Sequence, residues 1–96
     1  MADKDAPVID PDAHKIKFPT LYPIKVVGTA AEDFRDFVVA VMERHAGELL
    51  EEHIDVRASS NGRFLSVRVT ITATGPEQLQ TIFEELKASG RVHIVI

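Results

Sequence analysis

Apolar residues recur at the spacing of an amphipathic helix in two stretches of the chain. In the first stretch they occupy positions i, i+3, i+4, i+7 and i+8, namely Phe34, Phe37, Val38, Val41 and Met42. This spacing predicts a helix over residues 30–46. Thr29 and Glu32 are spaced as a capping box, in which a hydroxyl and a carboxylate each accept a hydrogen bond from a free backbone N–H. Gly47 suits the end of the helix.

The second helical stretch follows Gly75. Its apolar residues have the spacing i, i+3, i+4 and i+7, namely Leu79, Ile82, Phe83 and Leu86. Pro76 suits the first helical position, where no backbone N–H is needed, and Gly90 marks the end of the helix. We expect Phe37 and Phe83 to anchor the core, with truncation of either to Ala costing about 3 to 5 kcal/mol.

Four other segments are rich in β-branched residues, and most alternate between apolar and polar positions, which is typical of strands. They cover residues 22–28, 53–58, 64–72 and 91–96. Ser59–Gly62 joins the second segment to the third. Within it, Asn61 followed by Gly62 favours a two-residue type I′ hairpin turn.

The elements follow the order β-α-β-β-α-β, which is the ferredoxin-like arrangement of an α+β protein. Because such crossovers are right-handed, both helices should lie on one face of a four-stranded antiparallel sheet, in strand order 4-1-3-2. We assign residues 18–96 to this domain. Residues 1–17 contain Pro7, Pro11 and few large apolar residues, and we expect a disordered tail there.

Alternation along each strand assigns its residues to one side of the sheet or the other. The side covered by the helices receives Ile24, Val26, Ile54, Val56, Leu65, Val67, Val69, Ile71, Val92, Ile94 and Ile96. The open side receives Lys25, Val27, His53, Asp55, Arg57, Phe64, Ser66, Arg68, Thr70, Arg91, His93 and Val95. Basic residues therefore collect on the open face.

Composition limits the classes of function. The chain has 96 residues and no Cys, and its 11 Lys plus Arg against 15 Asp plus Glu give a net charge of −4. This acidity argues against non-specific binding to nucleic acid or to an anionic membrane. The sequence also lacks the apolar run of a secretion signal or a membrane span. We expect a cytoplasmic domain with neither nucleic acid nor membrane as a partner.

Several segments resemble the YbeD-like family of small bacterial proteins. They are Phe18–Gly28, Arg44–Ala46, Ser59–Gly62, Ser66–Thr74 and Glu77–Leu86. The resemblance implies a ferredoxin-like fold similar to that of ACT regulatory domains, which bind small effectors, often amino acids, at dimer interfaces. It implies mostly a fold, because the family has no assigned biochemical function, and it allows a homodimer.

The similarity to ACT domains points to Gly28 and Thr29 as a ligand-binding position. An ACT ligand sits where the first strand turns into the first helix, and backbone N–H groups near a helix N-terminus favour anions. The alternative is structural: Gly28 makes the turn and Thr29 caps the helix. Glu32 and Asp33 would oppose a bound carboxylate.

The open sheet face is the second candidate site. Four of its residues are basic and would form a positive patch suited to an acidic protein partner: Lys25, Arg57, Arg68 and Arg91. The alternative is a solvated face whose charges are partly paired with Asp55, because exposed charges commonly contribute little.

Catalytic chemistry finds little support in the sequence. An acylphosphatase would need a glycine-rich loop to cradle phosphate, and only Val27–Gly28 and Phe34–Arg35 echo that enzyme. RNA binding would need aromatic residues on the central strands, where the open-face positions are mostly polar. We therefore expect a non-enzymatic protein without catalytic residues, whose partner is a small effector or another protein.

Metal binding is not indicated either. The histidines are His14, His45, His53 and His93, and no two of them have the spacing of a local ligand pair. His45 instead suits the end of the first helix, where a positive charge complements the helix dipole. We expect no metal and no cofactor.

Overall fold

The computed structural model describes residues 17–96, so the predicted tail lies outside the described residues, apart from the exposed Lys17. The elements are β1 (Thr20–Thr29), α1 (Phe34–Ala46), a 3-10 turn (Glu51–His53), β2 (Ile54–Ala58), β3 (Phe64–Ala73), α2 (Pro76–Ala88) and β4 (Val92–Val95). This order confirms the predicted β-α-β-β-α-β arrangement.

The sheet has the strand order β2-β3-β1-β4, which is the predicted order read from the other edge. β1 pairs with β3 over its whole length, from Thr20 opposite Ala73 to Thr29 opposite Phe64. It pairs with β4 on its other side, and both pairings are antiparallel. The first strand of the chain is therefore one of the two interior strands, together with β3, and β2 and β4 form the two edges.

One face of the sheet packs against α1 and α2. The core contains these buried side chains: Ile24, Val26, Phe34, Val38, Val41, Met42, Val67, Val69, Ile71, Ala73, Leu79, Ile82 and Leu86. Phe34 is the fully buried aromatic residue among them, because its ring lies against the backbone of β1 at Gly28. Phe37 and Phe83 are only partly buried at the margin of this core, so Phe34 takes the anchoring role predicted for them.

A β-bulge in β4 changes the side of the sheet on which the residues after it lie. Val26 lies opposite Val95 and Val27 opposite Ile94, but Gly28 lies opposite Val92, which leaves His93 as an extra residue. The extra residue reverses the alternation that follows it. The predicted sides of three residues are therefore wrong: Val95 packs against the core, whereas Ile94 and Ile96 are 50% and 71% exposed on the open face.

The edge strand β2 is also less covered than predicted. Val56 shares the helix side of the sheet with its partner Val67, but it is 38% exposed and does not join the core. Helix placement explains the difference, because α1 packs mainly against β3 and β1 and α2 mainly against β4 and β3, so neither helix lies mainly over β2.

The first helix begins later than predicted, and the predicted capping box is wrong. Thr29 still belongs to β1, and the N–H of Ala30 donates to the carbonyl of Arg63 at 2.9 Å, which prolongs the extended backbone. Asp33 occupies the N-cap position without a side-chain capping hydrogen bond, because its carboxylate binds Arg91 instead. Gly47 ends the helix with a φ of 81°, as predicted.

The turn between β2 and β3 is longer than the predicted type I′ turn. Such a turn needs positive φ at both central residues, and no described residue other than glycine has one. The N–H of Gly62 donates to the Ser59 carbonyl at 2.9 Å, and Gly62 has a φ of 76°. The Asn61 side chain accepts hydrogen bonds from the Ser59 hydroxyl and the Arg63 N–H, which holds the longer loop.

Candidate functional site

A row of charged side chains crosses the open face of the sheet. The register places Asp55 of β2 opposite Arg68 of β3, and Arg68 opposite Lys25 of β1. Lys25 and Ile96 exchange two backbone hydrogen bonds, of 2.7 and 2.9 Å, so the row ends at Ile96. Three of the predicted open-face residues thus lie side by side across neighbouring strands.

Lys25 and Arg68, which we call the cationic pair, have no ion-pair partner within residues 17–96. Asp55 is the nearest acidic position in the row, but its carboxylate accepts a hydrogen bond from Nε of Arg57 at 3.1 Å. Both side chains of that ion pair are well exposed, so it contributes little to stability. The pairing neutralises Arg57 and leaves the positive charge of the face on the cationic pair.

Apolar side chains flank the cationic pair. Ile94 of β4 and Ile96, just after the end of β4, are exposed on the same face, and we call them the apolar edge; Ile94 lies opposite Val27 of β1. The strand alternation could not reveal this edge, because the bulge at His93 has no counterpart in the apolar pattern. The open face therefore combines positive charge with exposed aliphatic surface, a combination suited to protein contacts.

Gly28 lies inside β1 and not in a turn. A Cβ atom built on it would lie 2.4 Å from both the carbonyl oxygen of Arg91 and the ring of Phe34. The absence of a side chain is therefore needed for close packing. The space beside Gly28, where the ACT resemblance places a ligand, is occupied in this chain by the Phe34 ring.

Thr29 ends β1 with its side chain on the open face. Its Oγ1 lies 2.9 Å from Nε2 of His93, and the His93 ring makes an edge contact with Phe64 at a centroid distance of 5.5 Å. The hydroxyl is thus engaged by the bulge residue and caps no helix. The structure brings Gly28 and Thr29 to the corner of the sheet where β1 and β4 meet.

Arg91 does not lie on the open face, and its predicted placement there is wrong. β4 begins at Val92, and the Arg91 guanidinium turns to the helix side, where it lies 4.9 Å from the ring centroid of Phe37 and 5.7 Å from that of Phe34. It donates two hydrogen bonds to the Asp33 carboxylate, at 2.6 and 3.3 Å. The Arg91 hydrogen bond lowers the pKa of the Asp33 carboxyl below its ordinary value.

The sequence holds one signal for this contact. The last strand runs antiparallel to β1, so its first residue must lie near the end of β1, where the first helix begins. Opposite charges at those two places, Asp33 and Arg91, could therefore have been paired from the topology alone.

The helix layer has its own polar cluster. Nε2 of His45 lies 2.7 Å from Oε1 of Glu85, and Arg44 forms an ion pair with the same carboxylate. The Gln78 amide donates to the carbonyl of His45 at 2.9 Å, which satisfies a free carbonyl in the last turn of α1. These contacts join α1 to α2 and explain His45 structurally.

Metal, pocket and membrane features are sparse in the part of the chain that the structure describes. Residues 17–96 contain no group of three His, Asp or Glu side chains placed to hold a metal ion. A shallow depression on α2 is lined by Pro76, Glu77, Gln80 and Thr81, at the end of the sheet opposite to Gly28. Neither described helix has the length and apolar character needed to cross a membrane.

Comparison with known proteins identifies the family. Residues 13–96 match the family described as "Protein of unknown function (DUF493)". The chain belongs to the DUF493 family. A UPF0250 protein of Azotobacter vinelandii is 57% identical over 88 residues, covering 91% of this chain and 96% of the relative. The UPF0250 protein PA3998 of Pseudomonas aeruginosa is 54% identical over 93 residues, covering 96% and 98%. These matches confirm the resemblance to the YbeD-like proteins.

Two solved structures share the fold. The solution structure of protein HP0495 from H. pylori matches this DUF493 chain with a TM-score of 0.67 at 17% identity, covering 84% of this chain and 85% of that one. The ACT domain from GTP pyrophosphokinase of Chlorobium tepidum matches with a TM-score of 0.62 at 17% identity, covering 80% and 83%. At this identity the likeness establishes an ACT-like, ferredoxin-like fold and nothing about ligands.

Proposed function

We propose that this DUF493 protein is a non-enzymatic binding module that takes an acidic segment of a protein partner on its open sheet face. One observation carries the proposal. The cationic pair lies in the middle of the face, with Arg68 exposed and Lys25 half-buried, without an ion-pair partner in the described residues and beside the exposed apolar edge. A carboxylate meeting Lys25 or Arg68 would gain a charge-assisted hydrogen bond.

The charge of the chain favours an acidic partner segment over a second copy of the same face. A face-to-face dimer with its two-fold axis through the row would bring the cationic pair of one copy against that of the other, and like charges in an interface are costly. The chain as a whole carries a net charge of −4, so the positive patch is opposite in sign to the chain's net charge. Its electric field can therefore orient an acidic partner towards the open face.

The small-effector function suggested by the ACT fold has weaker support from the geometry. It places the ligand at Gly28 and Thr29, but the Phe34 ring fills the space beside Gly28, and Asp33 puts a carboxylate at the start of α1. Binding there would need a second subunit to build a pocket. The two functions therefore predict sensitivity to substitution at different residues.

The test compares three variants in affinity capture from the native bacterium, with captured proteins identified by cross-linking mass spectrometry. Lys25→Glu with Arg68→Glu reverses the cationic pair, and Lys17→Glu with Lys87→Glu gives the same change of net charge at exposed positions away from it. Thr29→Val removes the hydroxyl at the corner site. All three should keep the free energy of unfolding within about 1 kcal/mol of the wild type, because every substituted residue is exposed except Lys25, which is half-buried on the open face and outside the core.

We expect the reversal of the cationic pair to abolish capture, and the other two variants to retain it. Capture should also weaken as salt is raised, because an exposed charge contact is screened. Unchanged capture by the Lys25→Glu and Arg68→Glu variant would refute the proposal. Loss of capture in Thr29→Val alone would favour the effector site.

A further inference from the structure

We infer that two copies of this chain associate through the outer edges of their β4 strands, in a register centred on Val95. The pairing would join two four-stranded sheets into one continuous sheet of eight strands. The inference does not rest on the proposed function, because it uses the outer backbone of β4 and the apolar edge, whereas the cationic pair lies on β1 and β3 and takes no part in the contact. In such a dimer the second copy covers the apolar edge, and the cationic pair remains accessible beside it.

The bonding direction along β4 sets the register. Ile96 exchanges both of its backbone hydrogen bonds with Lys25, so the N–H and C=O of Ile96 point towards β1. Bonding direction alternates along an antiparallel strand, so the N–H and C=O of Val95 point away from the sheet. Within residues 17–96 no strand lies beyond β4. Val95 is therefore the residue that can exchange two hydrogen bonds with Val95 of a second copy.

The same register matches the apolar edge with itself. A two-fold axis between the two Val95 residues places Ile94 of each copy directly opposite Ile96 of the other copy. This gives two equivalent Ile94–Ile96 pairs on the open face. These would be non-hydrogen-bonded pairs, in which the side chains approach most closely. The two side chains that the bulge turns outward, 50% and 71% exposed, would thus cover each other.

Charge distinguishes this edge from the other one. Natural edge strands commonly carry charged residues that discourage pairing. β2 carries Asp55 and Arg57, whereas Val92–Val95 contains no Lys, Arg, Asp, Glu or Pro. A β4-to-β4 contact therefore meets no like-charge repulsion between strand side chains, which a self-complementary interface requires. The interface is small, so a weak dimer is expected.

A disulfide test reads the register directly, since the chain has no native Cys. Ile94 and Ile96 of facing strands would have Cα atoms about 4.5 Å apart, within disulfide range, whereas the two Ile94 residues would be about 8 Å apart, beyond it. We expect an oxidised mixture of Ile94→Cys and Ile96→Cys proteins to form a covalent dimer, and Ile94→Cys alone to form little. Leu21→Cys, exposed on β1, mixed with Ile94→Cys measures random collision.

Charge substitution gives a second readout by sedimentation equilibrium of the full chain. Ile94→Lys with Ile96→Lys would gather four like charges and should weaken self-association at least tenfold. Ile94→Lys with Ile96→Glu would place opposite charges in both facing pairs and should restore it. A wild-type chain that stays monomeric up to millimolar concentration, equal association of the two double variants, or cross-linking no greater than with Leu21→Cys would each overturn the inference.

Discussion

Gly28 provides the sharpest test of how the sheet and the first helix fit together. The Cβ of Gly28→Ala would lie 2.4 Å from both the Arg91 carbonyl oxygen and the Phe34 ring. The oxygen is backbone and accepts a hydrogen bond from the Thr29 N–H at 3.3 Å, so it cannot withdraw without disturbing the β1–β4 pairing. The ring is fully buried, so it can move only by displacing the side chains packed around it.

Overpacking of this kind costs about 1 to 3 kcal/mol when a neighbour can shift, and more when it cannot. Because one of the two neighbours is backbone, we expect Gly28→Ala to lower the free energy of unfolding by about 3 kcal/mol. For a domain of this size that corresponds to a fall in Tm of roughly 12 to 24 °C. The conformation itself imposes no such cost, since Gly28 does not have a left-handed φ.

Urea unfolding followed by far-ultraviolet circular dichroism would measure the effect. Gly75→Ala is the matched control, because a Cβ at Gly75 has no atom within 4 Å; it should cost about 1 kcal/mol or less. Gly28→Ala with Phe34→Leu should recover part of the loss, since the smaller side chain frees one of the two contacts. If Gly28→Ala unfolds within about 0.5 kcal/mol of the wild type, the close packing described here is wrong.

Two further predictions concern α1. Asp33→Asn should destabilise the protein at neutral pH, because the lowered pKa of the Asp33 carboxyl means that its charged form stabilises the fold above the carboxyl's unfolded pKa. The difference in unfolding free energy between variant and wild type, measured by urea titration, should shrink as the pH falls below about 4. A difference that stays constant across that pH range would contradict the role given to Arg91. Phe34→Ala should cost about 3 to 5 kcal/mol and Phe37→Ala less, because only Phe34 is fully buried; the reverse order of Tm losses would show that the core is centred elsewhere.

The arrangement of elements could be predicted because each depends on local information. The helical stripe around Val38 and the run from Leu65 to Ile71 specify their elements through periodicity, and right-handed crossovers then leave few topologies. The positions of Lys25 and Arg68 followed from the same reasoning. The pairing of these two residues across adjacent strands was therefore accessible from the sequence.

The faces of β4 could not be predicted, because a strand with one extra residue has the same amino-acid pattern as a regular one. Counting by twos from Val92 assigns Ile94 to the core, and the bulge at His93 reverses that assignment. The clash that Gly28 avoids was also hidden, since it depends on the Phe34 ring and on the Arg91 backbone, which meet only in three dimensions. Local patterns describe elements well and describe their mutual fit poorly.

The interior position of β1 has a consequence for synthesis of the protein on the ribosome. β1 is made first, yet its neighbours are β3 and β4, and the latter comes from residues 92–95. Until those residues emerge, the nascent chain has an open edge along Val26–Gly28, and the Phe34 ring lacks the Arg91 backbone beside it. Domains generally fold as units, and an unpaired strand edge is prone to aggregation. The sheet can therefore close only after residues 92–95 have emerged, and a truncation that removes them would leave the interior strand β1 with an unpaired edge.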